Sequence, residues 1–282
     1  MARARIKSDY RMDPRSLNLL LAKLRCEYKQ MLVYEKDRKS EAIDSHPISE
    51  RKIEIGSKAM LSSVSEGSVE LKNTGHGLDI HVEFFTIKKE FPKTEKQEIF
   101  SQKKYTVFNV TKDSQNKEVE SQLGFIGDVI QAFRRQHPEE KDSTLLLPLR
   151  QCRGFAKLPI KLLPDAKREH IILVELSPDG RLLTHDSQSK IRYKLYPDRL
   201  IDLAKVIAKS YEYNAYGTQK DEYECGFFVY NFINTILTTG DSRQCAAIKI
   251  DETYVQKTQA HIVELFKEEQ AEMDKQLGQL DI

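Results

Sequence analysis

The chain has no tryptophan, little cysteine and no cluster of metal-binding side chains. Its 282 residues include four cysteines and seven histidines, and neither type recurs at the short spacing of a zinc site. We therefore predict no metal. The dispersed cysteines favour free thiols in a reducing compartment over a disulfide framework, so a cytoplasmic location is expected. The four cysteines are Cys26, Cys152, Cys225 and Cys245.

Long apolar runs, a strong net charge and a glycine-rich phosphate loop are also missing. No run approaches the roughly 20 apolar residues of a membrane helix, and the charged opening residues do not resemble a signal peptide. The formal net charge is only +2, which gives no general case for binding nucleic acid. Nothing indicates a nucleotide site. We therefore expect a soluble enzyme with no cofactor, no nucleic-acid partner and no integral membrane segment.

Two regions of different texture divide the chain. Apolar residues at helical spacing follow Asp13-Pro14, a typical helix start, and strand-like alternation fills much of residues 53–110. A polar segment at 112–120 is typical of a linker. We predict a helix plus β-rich region over residues 1–115, either a substrate-recognition module or a scaffold, and a second domain over 116–282. One strand (145–149) and four helices (125–133, 197–213, 227–237 and 254–277) are predicted in the second domain.

The segment from Glu169 to Ser187 predicts a β-hairpin. Two runs rich in branched apolar residues flank Ser177-Pro178-Asp179-Gly180, which suits a type I turn closed by a left-handed glycine. In the resulting register His170 and Asp186 share one face and lie diagonally across the two strands, so they are expected to meet. His185 points to the opposite face, although a two-residue turn would exchange the two histidines.

A cysteine stands at the predicted start of a helix. Cys225-Gly226 precedes the apolar segment 227–237, and Gln219 lies six residues upstream. A helix N-terminus carries unpaired N–H groups and partial positive charge, which favour the thiolate form. The same N–H groups and a glutamine amide can hold the oxyanion formed when a thiolate attacks an amide. The segment is either a nucleophile with its oxyanion hole or a buried apolar cysteine opening a core helix.

Taken in order, His170, Asp186-Ser187, Gln219 and Cys225-Gly226 resemble the motif of the Ulp/SENP-type cysteine proteases of the CE clan. These proteases remove ubiquitin or ubiquitin-like modifiers from proteins. The resemblance covers roughly residues 118–245. It implies that Cys225 is the nucleophile, His170 the general base, Asp186 its orienting acid and Gln219 an oxyanion donor.

The same resemblance implies a fold and a setting. The fold is α/β (α+β), a papain-type Ulp-like architecture with a central sheet flanked by helices. The function is cleavage of peptide or isopeptide bonds after the C-terminus of ubiquitin or a ubiquitin-like modifier, which would be the partner of a monomeric enzyme. Many relatives of this size are bacterial effectors, so the cytosol of a host cell is the expected location if the protein is one of them.

Two residues depart from the family pattern. Ile171 follows His170 where the deconjugating enzymes commonly have tryptophan, and Glu224 precedes Cys225 where aspartate is usual. Glutamate there also occurs in the YopJ-like branch, whose members acetylate host serine, threonine or lysine from acetyl-CoA. An acetyltransferase is therefore one alternative, although Asp186 as orienting acid fits the protease branch better. A second alternative is a modifier-binding module that keeps the fold without turnover.

Overall fold

A computed structural model describes residues 12–44, 60–72, 79–94, 97–110, 122–152, 169–188, 204–219 and 224–280. The chain has a mixed α/β structure in which a seven-stranded sheet is flanked by helices. The longer helices are α1 (Pro14–Asp44), α2 (Gln122–Gln136), α3 (Cys225–Thr239) and α4 (Glu252–Leu280). The strands are β1 (Met60–Leu71), β2 (Ile80–Thr94), β3 (Gln97–Phe108), β4 (Thr144–Cys152), β5 (Glu169–Leu176), β6 (Arg181–Asp186) and β7 (Ser210–Ala215).

The strands follow one another across the sheet in chain order. β1 to β3 form one antiparallel meander and β4 to β6 another, while β3 with β4 and β6 with β7 are parallel pairs. Parallel neighbours need a crossover connection, and α2 lies between β3 and β4. The sheet thus continues across the predicted boundary between residues 115 and 116. That division into two domains stays a prediction, and β1 to β3 extend the sheet as a scaffold would.

Two hydrophobic layers cover the two faces of the sheet. Helices α1, α3 and α4 pack on one face, and α2 packs on the other. Neighbouring strand residues alternate between the layers: Phe85 and Leu173 belong to the first, whereas Phe84 and Val174 belong to the second. The sheet is therefore buried on both sides, and α3, the helix that begins with Cys225, lies in the larger layer.

The predicted start of α1 at Asp13-Pro14 is confirmed, and a local signal also marks the C-terminal end of α3. Asp13 caps α1, since its Oδ1 accepts a hydrogen bond from Ser16 N at 2.7 Å, and Pro14 is the first helical residue. At the C-terminal end of α3, Gly240 adopts a left-handed conformation with φ 69°, and its N–H donates to Ile236 O at 2.8 Å. Both ends follow from short-range chemistry that the sequence displays.

The predicted helix over residues 197–213 is wrong at its C-terminal end. Residues Ser210–Ala215 form strand β7, which pairs in parallel with β6. Tyr211 and Tyr213 alternate with polar residues there, and this period of two with aromatic side chains is typical of a strand. Residues 197–203 and the predicted linker at 112–120 lie outside the described residues.

Two lysines from the sheet hold the C-terminal end of α3. Lys89 is buried, and its Nζ donates to Leu237 O at 3.3 Å; Lys103 Nζ donates to Gly240 O. Cations complement the partial negative charge of a helix C-terminus. The centroid of the Phe91 ring lies 5.5 Å from Lys89 Nζ and 5.9 Å from Lys103 Nζ. These contacts fix the position of α3 on the sheet.

The N-terminal end of α3 packs against the residue that leads into α1. A Cβ atom on Gly226 would lie 2.8 Å from Met12 Cβ and 2.9 Å from Met12 Cγ, closer than van der Waals contact allows. Met12 is itself buried. Glycine after Cys225 therefore has a packing reason in this chain, because any side chain there would displace the N-terminal segment.

We expect Gly226→Ala to reduce the free energy of unfolding by about 1–3 kcal/mol, because its methyl group would overlap the stem of Met12. Denaturant unfolding followed by circular dichroism measures the loss. The same change in a Met12→Gly background is expected to cost much less, since the opposing atoms are gone. Equal losses in the two backgrounds would contradict this reason for the glycine.

Candidate active site

The predicted register of the β5–β6 hairpin is confirmed. Leu173 lies opposite His185 and Leu176 lies opposite Leu182. The turn has the expected form: Gly180 N donates to Ser177 O at 3.0 Å, and Gly180 has a φ of 88°. In this register His170, the predicted base, and Asp186, the predicted acid, lie on the same face of the hairpin.

His170 and Asp186 form a buried pair at the open end of this hairpin. His170 Nε2 donates to Asp186 Oδ1 at 2.9 Å, and the backbone N–H of Gln188 donates to the same oxygen at 2.8 Å. The other carboxylate oxygen, Oδ2, accepts from the hydroxyl group of Tyr213 on β7. Donors on both oxygens hold the carboxylate in one orientation, and the carboxylate in turn orients the imidazole.

Cys225 is the first residue of α3, and its thiol interacts with the imidazole of His170, whose Nε2 is bonded to Asp186. Cys225, His170 and Asp186 are each 1% exposed. Thiol, imidazole and carboxylate thus form a continuous buried chain at a helix N-terminus, where the helix dipole favours a negative sulfur.

The surroundings of His170 favour its charged form. Burial acts to lower the pKa of its imidazole, but the hydrogen bonds and negative charges of Asp186 and Cys225 outweigh burial and raise the pKa to about 9. The imidazolium is therefore the stable form at neutral pH. A positive ring between a carboxylate and the cysteine matches a thiolate–imidazolium pair, the resting form of a reactive cysteine.

We expect His170 to titrate near pH 9 in the folded protein, compared with an ordinary value of 6.5. Because the pKa of His170 is higher in the folded protein than in the unfolded chain, protonated His170 stabilises the folded state. This contribution to the free energy of unfolding is fully present below about pH 6.5 and is lost as pH rises through about 9. NMR of the imidazole C–H signals measures the titration. In Cys225→Ala the pKa of His170 should fall, because the cysteine side chain that helps to raise it is removed. A wild-type value at or below 6.5 would contradict the ion pair.

Gln219 is fixed beside the same acid through Ser187. Ser187 Oγ donates to Gln219 Oε1 at 2.6 Å, and Gln219 N donates to Ser187 O at 2.9 Å. Gly217, with a φ of 66°, turns the chain so that Gln219 returns to the end of β6. Because the amide oxygen accepts from Ser187, the NH₂ group is the side of Gln219 that can donate to an oxyanion.

His185 lies on the other face of the hairpin, as the register predicts. Its Nε2 pairs with Glu175 Oε2 at 2.9 Å and its Nδ1 with Tyr216 OH at 2.7 Å. The ring centroid is 5.9 Å from that of Phe232 in α3. This histidine is buried in a separate polar cluster and is not part of the chain from Cys225 to Asp186.

No family model, curated protein or solved structure matches the chain. Within the described ranges, no group of histidine, cysteine and carboxylate side chains is placed to hold a metal ion. Nor does any helix in those ranges combine the length and apolar character that crossing a membrane requires.

Two tyrosines of this region are not among the predicted site residues. Tyr213 falls in the predicted helix 197–213 but contacts Asp186 from strand β7, and Tyr216 contacts His185. The alternation of tyrosine with polar residues over Ser210–Ala215 was the available signal for a strand. Nothing in the sequence itself indicated that this strand would lie beside β6.

Proposed function

We propose that the protein is a cysteine protease of Ulp/SENP type, which cleaves peptide or isopeptide bonds after the C-terminus of ubiquitin or a ubiquitin-like modifier. The observation that carries the proposal is the buried chain Cys225–His170–Asp186 with the thiol at a helix N-terminus. The order of these residues, with Gln219 between acid and thiol, is the family's order. The mixed sheet flanked by helices is compatible with the papain-type architecture of that family.

The acylation step follows from the charges of the pair. The thiolate of Cys225 attacks the carbonyl carbon, a C–S bond forms, and the carbonyl electrons move onto oxygen. The backbone N–H of Cys225 and the NH₂ group of Gln219 stabilise this oxyanion. The imidazolium of His170 then gives its proton to the leaving amine, so that the C–N bond breaks and a thioester remains.

Deacylation uses the same groups in reverse. The neutral imidazole of His170 removes a proton from water, and the resulting hydroxide attacks the thioester carbonyl. Collapse of the second tetrahedral intermediate breaks the C–S bond, releases the modifier with a free carboxylate and returns the thiolate. Asp186 keeps its charge throughout and stabilises the imidazolium each time it forms.

Modifiers that carry a C-terminal electrophile test the proposal. We expect incubation with a panel of ubiquitin and ubiquitin-like probes to give a covalent adduct, seen as a mass shift of one modifier, and Cys225→Ala to abolish it. Cys245→Ala is the matched control, because that thiol is also buried and outside any disulfide, but its Sγ faces Phe232 O in the middle of α3. It should label normally.

Three outcomes would oppose the proposal. An adduct that survives Cys225→Ala would show that another nucleophile reacts. No adduct across the panel, combined with acetyl transfer from acetyl-CoA to protein serine, threonine or lysine, would favour the YopJ-like alternative. Tight modifier binding that Cys225→Ala leaves intact, with no cleavage at any protein concentration, would favour a binding module.

A further inference from the structure

A buried cluster behind the candidate active site is joined by hydrogen bonds. Glu175 Oε2 accepts from the Nε2–H group of His185, and Nδ1 of the same ring pairs with the Tyr216 hydroxyl. Burial raises the pKa of Tyr216 far above its ordinary value, and the nearby ionisable groups of Cys245 and Glu175 add to the shift. The phenol therefore stays protonated.

Both the side chain and the backbone of Tyr216 are held by hydrogen bonds. Its hydroxyl contacts His185, and its backbone N–H donates to Asp186 O at 2.8 Å. Its ring packs against Phe232 of α3, with centroids 5.5 Å apart. Displacing this residue would leave a buried imidazole nitrogen without its hydrogen-bond partner, which is strongly disfavoured. Tyr216 is thus a fixed point of the chain immediately after β7.

The fixed point lies three residues before the proposed oxyanion donor. From Tyr216 the chain turns at Gly217 and reaches Gln219, whose amide is held by Ser187. Three hydrogen bonds therefore hold segment 216–219 at the end of β6. One joins the backbone to Asp186, and two join Gln219 to Ser187. The acid of the triad and the oxyanion donor share one short scaffold.

We infer that Glu175, His185 and Tyr216 are positioning residues for the oxyanion donor: they fix the segment that holds the Gln219 amide beside the reacting carbonyl. This role rests on the proposed function. Because the cluster supports Gln219 and His185 lies on the other face of the hairpin from His170 and Asp186, it should affect acyl transfer without changing the intrinsic reactivity of Cys225. That difference separates a positioning role from a purely structural one.

Tyr216→Phe removes the hydroxyl group and keeps the ring. We expect kcat for cleavage of a modifier C-terminal ester to fall about tenfold with KM unchanged, since the oxyanion donor loses its fixed position. Alkylation of Cys225 by iodoacetamide forms no oxyanion, so its rate should stay the same. Tyr254→Phe is the matched control, because it removes a half-buried tyrosine hydroxyl of α4 that accepts from Asn231 of α3 at 2.8 Å.

A double-mutant cycle with Gln219→Ala completes the test. If Tyr216 acts through Gln219, Tyr216→Phe has little further effect on kcat once Gln219 is alanine. Additive losses, a parallel fall in alkylation, or normal kcat in Tyr216→Phe would each overturn the positioning role while leaving the protease proposal intact. Absence of Cys225-dependent acyl transfer in the unmodified protein would overturn the proposed function and this role with it.

Discussion

Asp186→Ala is expected to reduce kcat/KM on the order of 10⁴-fold, as loss of the orienting acid does in other catalytic triads. The physical reason is that His170 loses both the charge that stabilises its protonated form and the bond that orients its ring. The residual rate comes from the helix N-terminus and the oxyanion donors. Initial rates on a modifier C-terminal amide measure the loss.

Asp186→Asn is expected to be much milder, for a reason specific to this site. The backbone N–H of Gln188 donates to Oδ1 at 2.8 Å and cannot rotate away, so an amide NH₂ at that position would face a donor. The asparagine oxygen must occupy it, which keeps the acceptor for His170. The NH₂ group then faces Tyr213, whose hydroxyl can rotate to accept.

What the asparagine variant loses is charge. A hydrogen bond to a charged group contributes about 1–1.5 kcal/mol more than a neutral one, which corresponds to roughly a tenfold lower rate. The pKa of His170 should also fall in this variant. Adding Tyr213→Phe removes the acceptor for the NH₂ group and should lower the rate further. If asparagine and alanine at position 186 were equally harmful, the oriented-acceptor argument would be wrong.

These expectations depend on a register that the sequence specified well. The Pro-Asp-Gly sequence favours the three-residue closure that the structure has, and strand alternation then determines which histidine meets Asp186; a two-residue turn would have exchanged the two histidines. The helix start at Cys225 could be predicted equally well, because an apolar segment follows it directly. Both features are short-range, and short-range chemistry is what a single sequence displays.

The parts that the sequence did not display depend on long-range pairing. β7 lies beside β6 through a parallel crossover, so Tyr213 reaches Asp186 across 27 positions of the chain. The pairing of β3 with β4 likewise joins the two predicted regions into one sheet. Local propensity carries little information about such neighbours, since they are chosen by packing of whole elements.

One consequence of that pairing is that acid and oxyanion donor are mechanically linked. Asp186 and Ser187 are consecutive, and the returning segment that carries Gln219 is bonded to both of their carbonyl groups. The order of Asp-Ser and Gln along the chain thus has a physical meaning here: the serine hydroxyl holds the glutamine amide oxygen and selects which end of the amide donates. Gln219 is therefore the second residue whose replacement should have a large effect.

Gln219→Ala is expected to lower kcat for acyl transfer about 10²- to 10³-fold, the usual loss when one oxyanion donor is removed. Alkylation of Cys225 by iodoacetamide should be unchanged, because displacement at an sp³ carbon develops no oxyanion. The comparison of the two rates on the same protein sample isolates the donor role from any general damage to the thiol–imidazole pair.

Gln219→Glu sharpens the same test. The glutamate keeps an oxygen that can accept from Ser187 Oγ at the 2.6 Å contact, but it replaces the donating NH₂ group with a second acceptor. We expect its acyl-transfer rate to be at least as low as that of alanine, since it places negative charge where the oxyanion forms. Near-normal turnover in the glutamate variant would mean that Gln219 holds the end of β6 in place and takes no part in stabilising the oxyanion.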